Sequence, residues 1–365
     1  MRGADTKQSM MFSTVSPDKR VPKGHPLRRI KQIADAALGR LSPTFDVMYS
    51  GVGRPSIPPE RLLKATLLMA LYTVRSERLF CEQLDYNIMF RWFLDMNLDE
   101  PSFDHSTFAK NRQRLLEHDI ARQFFFYIVL NAHKLGLLSD EHFTVDGTLI
   151  EAWASLKSFR RKGESDDDRP PPDDPGNPAV DFHGEKRSNE THESTTDPEA
   201  RLAKKSQGKE AKLSYCGSLL MENRNGLIVN LHIDPATGTA EREAALAMLD
   251  EAVPGSRRLT VGGDKGFDTR GFVAGCRERN VTPHVACNEA RNGGSALDDR
   301  TTRHEGYAIS QRIRKRIEEA FGWMKTVGNF RRTRFKGRER TQFAAYFVGA
   351  AFNLLRIARL VEAAA

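Results

Sequence analysis

Apolar residues recur at helical spacing through the first part of the chain and give way to short apolar runs in the second. Residues 58–72 carry Leu62, Leu63, Leu67, Leu68 and Leu71 on one face, which predicts a helix entered through Pro58 and Pro59. Ser76 is placed to cap a second helix carrying Leu79, Phe80 and Leu84, and Ser106-Thr107-Phe108 opens a third with Lys110, Arg112, Arg114, Leu115 and Leu116. Short helices, tight turns and a basic last helix within residues 22–140 suit a helix-turn-helix-like DNA-binding unit, and an ordinary helical bundle gives the same pattern. Beyond residue 140 the period changes. A short strand at 143–146 ends on Asp146, and 213–216 with 227–233 read as a hairpin around Asn223-Arg224-Asn225-Gly226. A helix at 241–252, a strand at 258–264 finishing on Asp264, a helix at 269–279 and a strand at 281–286 follow. A long helix at 308–326 and an apolar helix at 343–361 close the chain. The expected class is α/β, a mixed sheet flanked by helices, preceded by an N-terminal all-helical domain.

Composition alters this picture at one place. Residues 158–211 hold eight hydrophobic residues in 54, against 39% for the chain of 365, too few to offset the entropy of ordering them. The segment, with Asp166-Asp167-Asp168 and Pro170-Pro171-Pro172 inside it, reads as an inserted, partly disordered loop. The domain scheme is therefore an arm at 1–21, a helical domain at 22–140, a catalytic domain at 141–340 interrupted at 158–211, and a terminal helix at 341–365. The longest nearly uncharged apolar stretch, residues 343–355, is 13 residues, short of the roughly 20 a membrane span requires. No apolar signal core opens the chain, and the four cysteines form no CxxC pair, so a reduced cytoplasmic protein without a thiolate zinc site is expected.

The net charge of +8 is concentrated. Residues 311–340 contain 11 Lys and Arg and three Glu, a local balance of +8. A solvated helix face is the plain explanation of a charge run, but a polyphosphate backbone rewards this density through counterion release, which makes nucleic acid the expected partner.

Two aspartates share a context. Asp146 and Asp264 each follow an apolar strand, with Gly147 after the first and Gly262-Gly263 before the second. Strand ends gather ligands in α/β sheets, although turn or cap aspartates occur there too. On the helix from Ala308, Ile309, Ile313, Ile317, Phe321 and Met324 define a stripe expected to be buried, and Glu318 lies at its border. Arg314, Glu318, Gly322 and Lys325 share a second face, a carboxylate between two cations, and Glu319 is the less suitable neighbour. Three such carboxylates can hold two Mg²⁺ or Mn²⁺ ions, the arrangement that supports in-line displacement at phosphorus.

At these residues the sequence resembles the DDE transposases of bacterial insertion sequences, of the IS-five type. Val145-Asp146-Gly147-Thr148-Leu149-Ile150-Glu151 resembles the first-aspartate block and Gly262-Gly263-Asp264-Lys265-Gly266-Phe267-Asp268 the second. Arg314, Glu318 and Lys325 match three members of the Tyr-x2-Arg-x3-Glu-x6-Lys signature, with Gln311 at the tyrosine position, and Ser218 stands where a His is usual. The resemblance implies an RNase H-like core, a metal-binding triad of Asp146, Asp264 and Glu318, and cleavage of DNA at terminal inverted repeats with transfer of the 3′ ends to a target. It implies double-stranded DNA as partner, a homodimer on that DNA, and DNA contacts from Arg314, Lys325, Lys265, Lys110, Arg112, Arg331, Arg332 and Arg334. A stand-alone RNase H-like nuclease and a catalytically inactive DNA-binding descendant are the alternatives.

Overall fold

The computed structural model describes residues 14, 16–50, 52–53, 55–163, 181–182, 185–205, 208–252, 258–290 and 292–364. The acidic, proline-rich run at 166–175 and the positions Arg54, His183 and Gly184 lie outside the described residues.

Seven helices come first: α1 (Pro17–Arg20), α2 (Pro26–Met48), α3 (Pro59–Leu71), α4 (Glu77–Tyr86), α5 (Ile88–Phe93), α6 (Ser106–Glu117) and α7 (Ile120–Lys134). Their starts follow local chemistry. Pro59 sits in the first turn of α3, where its missing N–H costs nothing, and the Ser76 hydroxyl accepts the Leu79 N–H at 3.1 Å to cap α4. Leu62, Leu63, Leu67 and Leu68 of α3 are buried as their spacing requires, and Leu71 is half-buried.

The rest is a mixed sheet with helices. Its strands are β1 (His142–Glu151), β2 (Phe159–Arg161), β3 (Asp181–Phe182), β4 (Glu185–Lys186), β5 (His192–Ser194), β6 (Arg201–Ala203), β7 (Lys212–Glu222), β8 (Ile228–Pro235), β9 (Leu259–Gly263) and β10 (Val281–Val285). The helices are α8 (Ala240–Ala252), α9 (Arg270–Glu278), α10 (Asp299–Thr302), α11 (Glu305–Ile313), α12 (Ile317–Thr326) and α13 (Arg338–Ala364). The main sheet runs β10-β9-β1-β7-β6, with β8 beside β6 on the same edge of β7. β10 and β9 lie parallel to each other and to β1, whereas β1, β7 and β8 form an antiparallel meander. β2 pairs with β5, and β3 with β4, in two small separate ribbons.

Two apolar layers cover the sheet. On one face Phe143, Val145 and Leu220 pack with α8 and α9 through Ala244, Met248, Phe272 and Cys276. On the other, Ile150, Leu219, Met221 and Leu231 join a core continuous with α2, α3, α7, α12 and α13. The helical block thus shares its core with the sheet. α13 is long and apolar enough to cross a membrane by composition, and most of its apolar window is buried within the protein.

Three expectations are corrected. The strand at 143–146 continues to Glu151, because β7 supplies antiparallel partners along its whole length from Phe143. The long helix at 308–326 is two helices, α11 and α12, separated by a single 3-10 turn at Arg314–Arg316. This break takes Ile309 off the buried stripe: it is 43% exposed, whereas Ile317, Phe321 and Met324 are buried. The described residues of 158–211 also include buried and sheet-forming positions that a loop reading did not expect. Asp197 is buried and accepts the Tyr215 hydroxyl at 2.6 Å, while Arg201–Ala203 joins the main sheet.

Candidate active site

The site grows out of unequal strand lengths. β9 pairs with β1 only from His142 to Thr144, opposite Thr260 to Gly262. Extending that parallel register by two residues sets Asp146 level with Asp264 on strands about 4.8 Å apart. Farther along the same edge of β1, the Glu151 N–H donates to the Arg331 carbonyl at 3.0 Å and the Thr333 N–H to the Glu151 carbonyl at 2.8 Å. Between these two partners the edge of β1 is open, and Asp146 lies in the gap.

The gap is spanned by the segment from Arg314 to Lys325. Arg314 packs its Cβ over Gly262, where an added methyl would lie 3.4 Å away. At the other end, the Lys325 ammonium donates to the Thr148 hydroxyl at 2.6 Å and to the Leu149 carbonyl at 2.8 Å. The segment therefore runs alongside β1 from Thr144 to Leu149. Glu318 lies four residues past Arg314, beyond the 3-10 turn and in the first turn of α12, and Asp146 lies two residues past Thr144, about 6.6 Å along a strand. Strand alternation points Asp146 to the same face as Thr148, which is the face of α12. Both glutamates are exposed, and Glu319 leans to Arg356 of α13 at 3.8 Å, which leaves Glu318 as the one without an ion pair.

The acids are not neutralised by the chain. Burial, first, and the nearby Asp264 and Glu241 carboxylates push Asp146 up to about 7, against the Gly147 N–H and the more distant Arg314. The Asp146 Oδ1 accepts the Gly147 N–H at 2.8 Å. Asp264 caps the 3-10 turn Lys265–Phe267, its Oδ1 accepting the Gly266 N–H at 2.7 Å. The structural role expected of a turn aspartate is thus filled by one oxygen. Among the described residues no three His, Cys, Asp or Glu side chains converge tightly enough to hold an ion. The donor set nevertheless suits a hard divalent cation: oxygens only, mutually repelling, half-buried and without a paired lysine or arginine.

Sequence reasoning passed over three contributors. Gln311, at the position where a tyrosine was the expected residue, accepts the Arg314 Nε–H at 2.9 Å and donates to the His284 carbonyl at 2.5 Å, fixing Arg314 to β10. Thr148 holds Lys325, and only its place two residues beyond Asp146 on the same face of β1 signalled it. Glu241, in the first turn of α8, lies against Gly147.

The basic residues differ in what they bond to. Lys110 on α6 and Lys265 beside Asp264 are exposed, as are Arg331, Arg332 and Arg334. Arg112 turns inward, forming an ion pair with Glu77 and stacking on Phe335 at 4.5 Å. Arg332 donates to the Ala152 and Trp153 carbonyls at 3.1 and 2.7 Å, and Arg334 to the Arg75 carbonyl at 3.0 Å. Burial lowers the basicity of Lys325, with the positive Lys205 and Arg331 acting in the same direction.

Comparison with known proteins gives two family matches. Residues 15–114 match the Transposase domain model (DUF772), and residues 180–354 match the Transposase DDE domain model. The second match contains Asp264 and Glu318 and begins after Asp146. No curated protein matches the sequence. Among solved structures, a piggyBac transposase synaptic complex with hairpin DNA is similar at a TM-score of 0.40 and 10% identity, over 93% of this chain and 76% of that one. A Mos1 transposase paired-end complex with the left transposon end gives 0.19 and 11%, over 64% and 61%. A Mos1 mariner paired-end complex with Mn gives 0.20 and 12%, over 90% and 86%. Likeness at this level is slight.

Proposed function

The chain belongs to the DDE transposases, within the IS-four-like group, and from that premise we propose that it is an insertion-sequence transposase of the IS-five type whose site is Asp146, Asp264 and Glu318 on an RNase H-like core. DDE transposases use divalent metal ions, and the carboxylates named would hold two Mg²⁺ or Mn²⁺. Bound there, such ions supply Lewis-acid activation of water or of a 3′-hydroxyl and neutralise charge building on the phosphate.

The chain's own residues do the remainder. Arg314, fixed through Gln311, and Lys325, fixed through Thr148, bracket the gap with two oriented cations that bind the scissile phosphate and orient it. The open edge of β1 admits the strand. Lys265 and Arg331 extend positive charge on either side, and Lys110 supplies a backbone contact from a helix-turn-helix-like unit in residues 22–140. Arg112, Arg332 and Arg334, tied to the protein as described, act on DNA through the surfaces they shape. Cleavage at terminal repeats and transfer of the 3′ ends require both ends to be held together, which calls for at least a homodimer on DNA in the cytoplasm.

The alignment of Asp146 with Asp264 in the gap beneath α12 carries this reading. Its test is cleavage and joining of a DNA duplex bearing the repeats that flank the coding region. Asp264→Asn should abolish both reactions and leave repeat binding intact. Cleavage without joining of pre-cut ends would favour the stand-alone nuclease. Undiminished function of Asp264→Asn would favour the inactive, DNA-binding descendant.

A further inference from the structure

The aspartate pair has a glutamate on each side of the sheet. Glu318 stands on α12, the helix whose Lys325 meets Thr148 of β1. On the opposite face, where Gly147 points, the Glu241 side chain fills the space a Cβ would need: its Cγ, Oε1 and Cδ lie 2.4, 2.5 and 2.6 Å from that position. Only glycine at 147 therefore permits this approach. Glu241 stands one residue into α8, whose first-turn amides would welcome a carboxylate. Among the described residues, however, no backbone or side-chain hydrogen bond and no ion pair engages it. Its neighbour Arg242 is committed to the Gly238 and Gly266 carbonyls, at 2.8 and 3.2 Å. A half-buried carboxylate beside two others, without a cap role or an ion pair and with Arg242 acting on it only through space, is placed to receive a cation from outside the chain.

We propose that Glu241 is a fourth carboxylate of the metal-holding set, reaching the open edge of β1 beside Asp146 and Asp264 from the side of α8. The inference rests on the metal-dependent site proposed above, and it explains why residue 147 is a glycine in the middle of a strand, a place where glycine is otherwise costly. Gly147 and Glu241 then form one device, the first making room for the second.

The test uses the full chain without DNA and Mn²⁺ as the probe, with bound ions counted by electron paramagnetic resonance and affinities read by titration calorimetry. The wild type should bind two Mn²⁺. Glu241→Gln should weaken one of them by about tenfold or more, the scale on which lost ligand support is felt. It should leave the other within about twofold and keep the circular dichroism of the apoprotein. Gly147→Ala, which displaces Glu241 without removing its charge, should weaken the same ion, and the double variant should be no worse than the poorer single one. Two unchanged affinities in Glu241→Gln would overturn this inference and leave the transposase site standing. A wild type that binds no Mn²⁺ would overturn the metal-dependent site itself, and this inference with it.

Discussion

The gap on β1 and the basic stretch from Gln311 to Arg340 are both dense in charge, and the fold treats them in opposite ways. In the gap, Asp146 lies near Asp264 and Glu241 with no ion pair among them, and burial first, with those two carboxylates adding to it, pushes Asp146 up to about 7. In the basic stretch and on α6, several cations are tied to the protein's own groups. Arg112 meets Glu77, exposed Arg332 closes on the carbonyls just past β1, and exposed Arg334 ties to the Arg75 carbonyl just before α4. Repulsion left standing costs stability and is retained where a ligand relieves it. Matched charge supports the frame. Counting lysines and arginines along a chain therefore overstates what is free for DNA, whereas the carboxylates in the gap are unmatched and available.

The contrast is sharpest at the acids. Asp146→Asn or Asp264→Asn should reduce DNA cleavage by about 10³-fold or more, and chelation with EDTA should do the same to the wild type, in a plasmid nicking assay. The apoprotein of either variant should melt no lower than the wild type, since a repelling charge has been removed. A clear fall in melting temperature would show that these acids are part of the frame after all.

Arg112→Ala should act in the other direction. It strands Glu77, which with Arg112 is about four-fifths shielded from solvent (side-chain exposures 22% and 18%). A loss of about 1–3 kcal/mol in denaturant unfolding is expected, from a charge left without its partner and lost stacking on Phe335. Lys110→Ala, two residues away and exposed, should change stability by less than about 0.5 kcal/mol while lowering the salt dependence of DNA binding by about one unit of slope. Equal behaviour of the two variants in both measurements would erase the distinction between framework and available charge.

The last effect concerns pH. Burial, then the positive charges of His142, His304 and Arg258, hold His284 at about 4, well below its unfolded value, while its Nδ1 meets the Ser310 hydroxyl at 2.7 Å. Between those two values the unfolded chain binds the extra proton, so stability should fall as pH drops from about 6.5 towards 4 and be insensitive to this group above that window. His284→Gln should flatten that slope in denaturation midpoints at pH 7 and pH 5.

Local signals carried much of this. Ser76 as a cap, the leucine spacing of α3 and the hairpin turn at Gly226 are short-range facts, because helix ends, amphipathic faces and positive-φ turns are set by a few neighbouring residues. The signature spacing of Arg314, Glu318 and Lys325 was legible for the same reason. Other features depended on distant parts of the chain. That Asp146 lies inside a ten-residue strand, opposite Asp264 and short of Arg331, follows from how far β9 reaches along β1. That Gln311 serves Arg314, that Glu241 occupies the room over Gly147, and that Arg112 points inward are outcomes of packing between segments far apart in the chain. Periodicity reports which face of an element is buried; which charge meets which partner is set only when those faces close on one another, because electrostatic pairing depends on distance in space and not on separation along the backbone.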